Sequence, residues 1–123
     1  MIRIEPSSPV PINEQIKAGL RGLIARRALR PGDPAPSIRA LAETLKVNPN
    51  TVARAIRELV LEGVLTAVRG EGTVVADAAP RKAQDGLGGV LGRLREAMLQ
   101  ARRGGVSWGE IESVVRETRK EEP

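Results

Sequence analysis

Pro36 to Gly63, PSIRALAETLKVNPNTVARAIRELVLEG, is the stretch on which the reading of the fold turns. Ile38, Leu41, Ala42 and Leu45 fall on one face at helical spacing, and Ser37 stands where an N-cap belongs. Lys46-Val47 leads to Asn48-Pro49, a capping residue followed by a proline at the first helical position. Val52, Ile56, Leu59 and Val60 then form a second apolar stripe that ends at Gly63. A short helix, a tight turn and a longer helix is the helix-turn-helix plan. The polar faces carry Arg39, Asn50, Thr51, Arg54 and Arg57, side chains suited to phosphates and base edges. Spacing alone fits a plain helical hairpin with a solvated basic face equally well.

The next segment separates the two. Val64 to Ala76, VLTAVRGEGTVVA, is two short β-prone runs around Arg69-Gly70-Glu71-Gly72, the pattern of a hairpin with a glycine-rich tip. A helix-turn-helix followed by such a hairpin is a winged helix.

In its order of Ser-x-Arg-x-Leu-Ala, Val-Asn-Pro-Asn-Thr-Val and Arg-Gly-x-Gly-Thr, the chain from Pro11 to Ala76 resembles the DNA-binding domain of the GntR transcription regulators. VNPNTVARA, with a short tail beyond the wing, is most similar to the small YtrA-like branch. The resemblance implies that Arg39, Asn50 and Thr51 occupy DNA-contact positions. Pro49 matches another, without a side-chain donor. The wing tip, Arg69 with Gly70 and Gly72, matches a minor-groove or backbone contact. By helix-turn-helix geometry the first residues of the second helix, Asn48 among them, enter the major groove, with Arg54 one turn on. The candidate DNA-binding set is therefore Ser37, Arg39, Asn48, Asn50, Thr51, Arg54, Arg69, Gly70 and Gly72. Each has a plainer reading as a cap, a turn or solvated surface, and Arg57 stands evenly between contact and solvent. Asn13, Ile56 and Val74 replace aromatic residues usual in the family.

Composition agrees with an anionic partner. The chain has 123 residues, a net charge of +5 and a pI near 10.7. Trp108 is the only aromatic residue, so the core is aliphatic and small, which favours an oligomer. Without cysteine or histidine the chain has no disulfide, thiolate nucleophile, His-based triad or His-ligated metal. No catalytic residue, metal or cofactor is expected. No apolar run is long enough for a bilayer and Met1-Ile2-Arg3 begins no signal peptide, so a cytoplasmic protein is expected.

Met1 to Val10 reads as an arm carrying Arg3, either a strand or coil packed on the body or an arm touching DNA. Pro11 to Arg27 predicts the first helix, with Ile16, Leu20, Leu23 and Ile24 as its apolar face. Gly19 and Gly22 weaken it by about 1 kcal/mol each relative to alanine and suggest close packing against a neighbouring helix. Arg26 and Arg27 suit its C-terminus. Leu29 to Pro36 is a rigid connector, and no phosphate-binding loop follows it.

Asp77 to Gly89 reads as a linker, which places a winged-helix domain at 1–78 and a linker with a two-helix tail at 79–123. Leu87, Leu91, Leu94, Met98 and Ala101 form a seam that Gly104-Gly105 interrupts. Ser107-Trp108-Gly109-Glu110 is a capping-box pattern opening a last helix with Trp108, Ile111, Val114 and Val115. Two such helices have no core of their own, so they pack on the winged domain or on a second copy. The seam together with Trp108, Ile111 and Val115 is the candidate dimer surface. RETRKEEP is expected to fray.

The expectation is a mostly α winged helix-turn-helix protein that reads a pseudo-palindromic DNA operator as a homodimer. The resemblance implies a repressor of its own or a transporter operon. The tail is too short for the family's larger effector domains, and no effector is identified. The alternatives are a winged helix that docks on another protein and a nucleoid protein without sequence-specific regulation.

Overall fold

A computed structural model describes residues 2–121; Met1 and the last two residues of the RETRKEEP end, Glu122 and Pro123, lie outside it. The order of elements is α1 (Ile12–Ala25), α2 (Ile38–Leu45), α3 (Pro49–Leu61), β1 (Leu65–Val68), β2 (Gly72–Val75), α4 (Ala79–Arg103) and α5 (Trp108–Glu121). This is a winged helix followed by two helices.

The helix ends form where capping chemistry requires. The Ser37 hydroxyl accepts from Ala40 N–H at 3.0 Å and starts α2. Lys46 closes α2 in the left-handed region, φ 57°, and Val47 N–H then reaches back to Ala42 C=O at 3.1 Å. Asn48 caps α3 by accepting from Asn50 N–H at 2.8 Å, with Pro49 at the first position. Together these caps fix the turn between α2 and α3 within three residues.

One aliphatic cluster holds the winged domain together. Ile16, Leu20 and Ile24 of α1 meet Leu41 and Ala42 of α2, Val52, Ala55, Ile56 and Leu59 of α3, and Leu65 and Val75 of the hairpin. β1 and β2 pair antiparallel, Leu65 opposite Val75 and Val68 opposite Gly72. The connector ahead of α2 lies along the other edge of β2. Gly32 N–H donates to Val75 C=O, Val75 N–H to Asp33 C=O and Ala35 N–H to Thr73 C=O, each at 2.8 Å. The wing is thereby tied to the start of α2, and the edge of β2 is covered.

The N-terminal arm is coil packed on the body. Ile2 is buried, and its side chain lies over Gly19, where a Cβ would come within 2.7 Å of it. Gly19 thus admits the arm, not a helix. The Gln15 side chain holds the arm further along, accepting from Glu5 N–H at 2.8 Å and donating to Glu5 C=O and Val10 C=O.

The stretch read as a linker is helical from Ala79 onward. Ala79 and Ala83 are fully buried in the winged-domain core, and Lys82 Nζ donates to Glu62 C=O at 3.2 Å, covering the C-terminal end of α3. Pro80 early in the helix and the run Arg81 to Gln84 favour helix, and burial of the two alanines outweighs the glycines that follow. The chain separates into two compact units between Asp85 and Gly86.

In the second unit Gly104 and Gly105 end α4, the latter at φ 95°. The capping box opening α5 is formed: Ser107 Oγ accepts from Glu110 N–H, and Ser107 N–H donates to the Glu110 carboxylate at 2.7 Å. That backbone hydrogen bond, with the hydroxyl's, holds the Glu110 carboxyl below its ordinary range. The Arg102 guanidinium stacks over Trp108 at 5.1 Å. No described residue from Gly86 on is buried, so this unit has no core of its own.

Candidate nucleic-acid interface

The exposed side of α2 and α3 collects the predicted contacts. Arg39 stands almost fully in solvent, its side chain 90% exposed, and pairs with Glu43 one turn on at 3.5 Å. A pair this exposed contributes at most a few tenths of a kcal/mol, so the arginine is readily given up to a phosphate. Asn50 is exposed, Thr51 half-buried, and Arg54 exposed on the next turn. The Ser37 and Asn48 side chains are committed to their caps, although both residues remain at the surface. Their backbone geometry, more than their side chains, sets how α2 and α3 are presented.

At the hairpin tip, Arg69, Gly70 and Glu71 connect the strands, and all are exposed. Gly70 and Gly72 have φ of 85° and 80°, and a Cβ at either would meet nothing within 4 Å among the described residues. Their glycines answer to the left-handed backbone of the turn, and they also leave it bare for close approach.

Two clefts show which predicted residues come together. Ser37 and Gly72 line a cleft of 220 Å³ with Pro34, Ile38 and Glu71, joining the start of α2 to the wing tip. A larger groove of 530 Å³ runs between the outer face of α3 and the hairpin, with Arg54, Arg57, Leu61, Ala67 and Thr73 along its walls. Arg57, left undecided by spacing, therefore belongs to the face shared by α3 and the wing. Leu61 is 87% exposed there.

A polar seam behind α3 escapes the reading of the sequence. Asn13 Nδ2 donates to Glu58 Oε1 at 2.8 Å, and the buried Lys17 ammonium lies 3.4 Å from Glu58 Oε2 and 3.2 Å from Glu62 Oε2. Arg21 also pairs with Glu62, and Arg54 Nε donates to Glu58 Oε1 at 3.2 Å. Burial disfavours the Lys17 charge, but the Glu62 hydrogen bond and the charges of Glu62 and Glu14 outweigh it and hold the ammonium above its ordinary range. For Glu58, burial pushes upward, while hydrogen bonds from Lys17 and Asn13 and the Lys17 and Arg54 charges bring the carboxyl below its ordinary range. The signal lay in register: Asn13, Lys17 and Arg21 recur every four residues on α1, as do Arg54 and Glu58 on α3 and Glu62 at its C-cap.

The candidate dimer residues lie on α4 and α5. Leu94, Met98, Ile111 and Val115 line an apolar groove of 310 Å³ between the two helices. Leu87 and Leu91 are exposed further toward the start of α4, 41% and 63%, and Trp108 is 52% exposed beneath Arg102. Among the described residues no acidic cluster could hold a metal ion, and no helix is long and apolar enough to cross a membrane.

Residues 12–75 match the model of the bacterial regulatory proteins of the gntR family. The chain is 34% identical over 118 residues to the HTH-type transcriptional repressor YtrA of Bacillus subtilis, a span of 95% of this chain and 91% of that protein. YtrA from Sulfolobus acidocaldarius, a solved GntR-family transcription factor, superposes with a TM-score of 0.58 at 33% identity, covering 98% of both chains. The DNA-binding domain of AraR, solved in complex with an operator, superposes with a TM-score of 0.53 at 28% identity over 62% of this chain and 93% of that one.

Proposed function

The chain belongs to the gntR family of DNA-binding bacterial regulatory proteins, and from that premise we propose that it is a repressor reading a pseudo-palindromic operator as a homodimer. The observation that carries this is the joint presentation of Asn50, Thr51 and Arg54 on α3, Arg39 on α2 and Arg69 on the wing, all on a domain like one solved on operator DNA. Similarity to a repressor along nearly the whole chain supports the sign of regulation.

In this reading α3 enters the major groove with its N-terminal turn. Asn50 and Arg54 read base edges there, and Arg39 and Arg57 neutralise phosphates beside it. Arg69, on a glycine-bared hairpin, reaches the adjacent backbone or a narrow minor groove. Neither Ser37 nor Asn48 contributes its side chain; each holds a helix start at the DNA.

One head presents few contacts, so affinity comes from two heads acting together. The second unit provides the link. Its exposed leucines, with Met98, Ile111 and Val115, form an apolar surface without a core beneath it, and a second copy covers it. A repressor of this kind acts by occupying DNA that polymerase requires.

Titrating the purified protein against DNA from upstream of its own gene, with bulk DNA as competitor, tests the reading. A specific regulator binds its site at least about 10³-fold more tightly than bulk sequence. A protein-docking module binds neither, and a nucleoid protein binds both alike.

A further inference from the structure

The geometry around Glu58 points to a positioning residue for DNA reading: we propose that Glu58 acts through Arg54, pre-orienting it for an end-on contact with a guanine edge. The proposal rests on the reading that α3 enters the major groove. Glu58 Oε1 accepts from Arg54 Nε at 3.2 Å and from Asn13 Nδ2 at 2.8 Å, while Oε2 lies 3.4 Å from Lys17 Nζ. Asn13 and Lys17 are both buried and both come from α1. The carboxylate is therefore held from behind by two side chains that cannot wander.

An isolated i,i+4 pair on a helix surface leaves its arginine free to sample rotamers. Here the carboxylate end of the pair is fixed, so the arginine is fixed with it. Pairing through Nε leaves the two terminal nitrogens of the guanidinium for a ligand, and the Arg54 side chain is 66% exposed. Two parallel donors at the tip of a restrained side chain match O6 and N7 of guanine in the major groove. An arginine already in its bound rotamer loses less entropy on contact, which raises selective affinity without adding a contact.

Charge and pre-orientation make opposite predictions for the same substitution. Glu58→Gln removes a negative charge close to the DNA, so electrostatics alone strengthens binding to every duplex. Loss of pre-orientation weakens only the selective part.

The test uses the full chain, duplexes that the wild type selects from a random-sequence library, and poly(dI-dC) as non-specific DNA. Glu58→Gln is expected to lower the ratio of selected to non-specific affinity about five- to tenfold, the scale of one immobilised side chain. In an Arg54→Ala background the same change has no effect on the ratio. A ratio equal to or above wild type in Glu58→Gln, or an equal fall in both backgrounds, overturns the proposal. If thermal melting shows Glu58→Gln unfolded, Arg54→Lys decides: it keeps the charge but lacks Nε and the fork, so its ratio falls to that of Arg54→Ala, and a wild-type ratio overturns the proposal. Failure of the wild type to select any duplex instead removes the operator reading, and this inference with it.

Discussion

Lys17 on α1 and Glu62, the C-cap of α3, face each other at 3.2 Å, with the ammonium almost wholly buried and the carboxylate at the rim. Three carboxylates, Glu14, Glu58 and Glu62, surround this one cation. Lys17→Met removes that cation, leaving Glu58 with Arg54 and Asn13 and Glu62 with Arg21, and is expected to destabilise the fold by about 2 kcal/mol in urea titration. The sign with pH follows from the two shifts. Glu58, depressed in the fold, contributes stability above the ordinary glutamate pKa of about 4.3, lost as pH falls through its lower folded value. Lys17, raised in the fold, contributes fully below the ordinary lysine pKa of about 10.4, and that is lost as pH rises through its higher folded value. Wild-type melting should hold a plateau between these limits, and Lys17→Met should blunt both shoulders.

Gly19 and Ile2 make a second testable pair. Alanine in place of a helical glycine is worth about 1 kcal/mol, but a Cβ at residue 19 would lie 2.7 Å from Ile2 Cγ2 and 2.8 Å from Cγ1. Gly19→Ala should destabilise the wild type and stabilise an Ile2→Gly background, which also removes the Ile2 Cβ 3.2 Å away, a reversal of sign that chemical denaturation of the four proteins measures. Gly22→Ala meets only the end of the Arg26 side chain at 3.7 Å, so it should stabilise both backgrounds.

Salt reports the phosphate contacts. Log affinity for a selected duplex should fall linearly with log salt, at about −0.9 per phosphate neutralised. Arg39→Ala, removing a phosphate contact, should cost about 1–3 kcal/mol of binding and reduce the salt slope by about one, and it should leave melting unchanged, since its partner among the described residues is the exposed Glu43. Arg69→Ala should reduce the salt slope by about one. A slope near zero in the wild type would remove DNA as the partner.

Most of this head was legible because its signals are local. Ser37, Asn48-Pro49 and the Ser107–Glu110 box are capping chemistry, and each cap forms as read. The hairpin was legible from Arg69 to Gly72 in the same way. What went unread depends on partners distant in sequence. Gly19 answers to Ile2 and not to another helix, and Glu58 answers to Asn13, 45 residues away. Asp77 to Gly89 reads as linker from its Ala, Gly, Pro and charged residues, yet it is helical from Ala79. Burial of Ala79 and Ala83, a tertiary effect, overrides that local weakness.

The buried start of α4 also fixes where the chain is divided to test dimerisation. A protein ending at Ala79 loses Ala83 from the core and the Lys82 contact to Glu62, so the informative end is Asp85. That shorter chain should sediment as a monomer, melt cooperatively and bind a palindrome weakly. Leu91→Asp with Leu94→Asp in the full chain should also give a monomer, since each buried leucine contributes roughly 1.5–3 kcal/mol. A dimer in either case would give the α4–α5 surface another role.

Hydroxyl-radical protection of the DNA upstream of the protein's own gene measures the central claim, two linked heads reading one palindrome. Two protected patches related by a dyad should result, with centres one helical turn of about 34 Å or a whole multiple of it apart. Arg39→Ala should weaken both patches together. A single patch, or protection spread evenly along the fragment at every protein concentration, would contradict it.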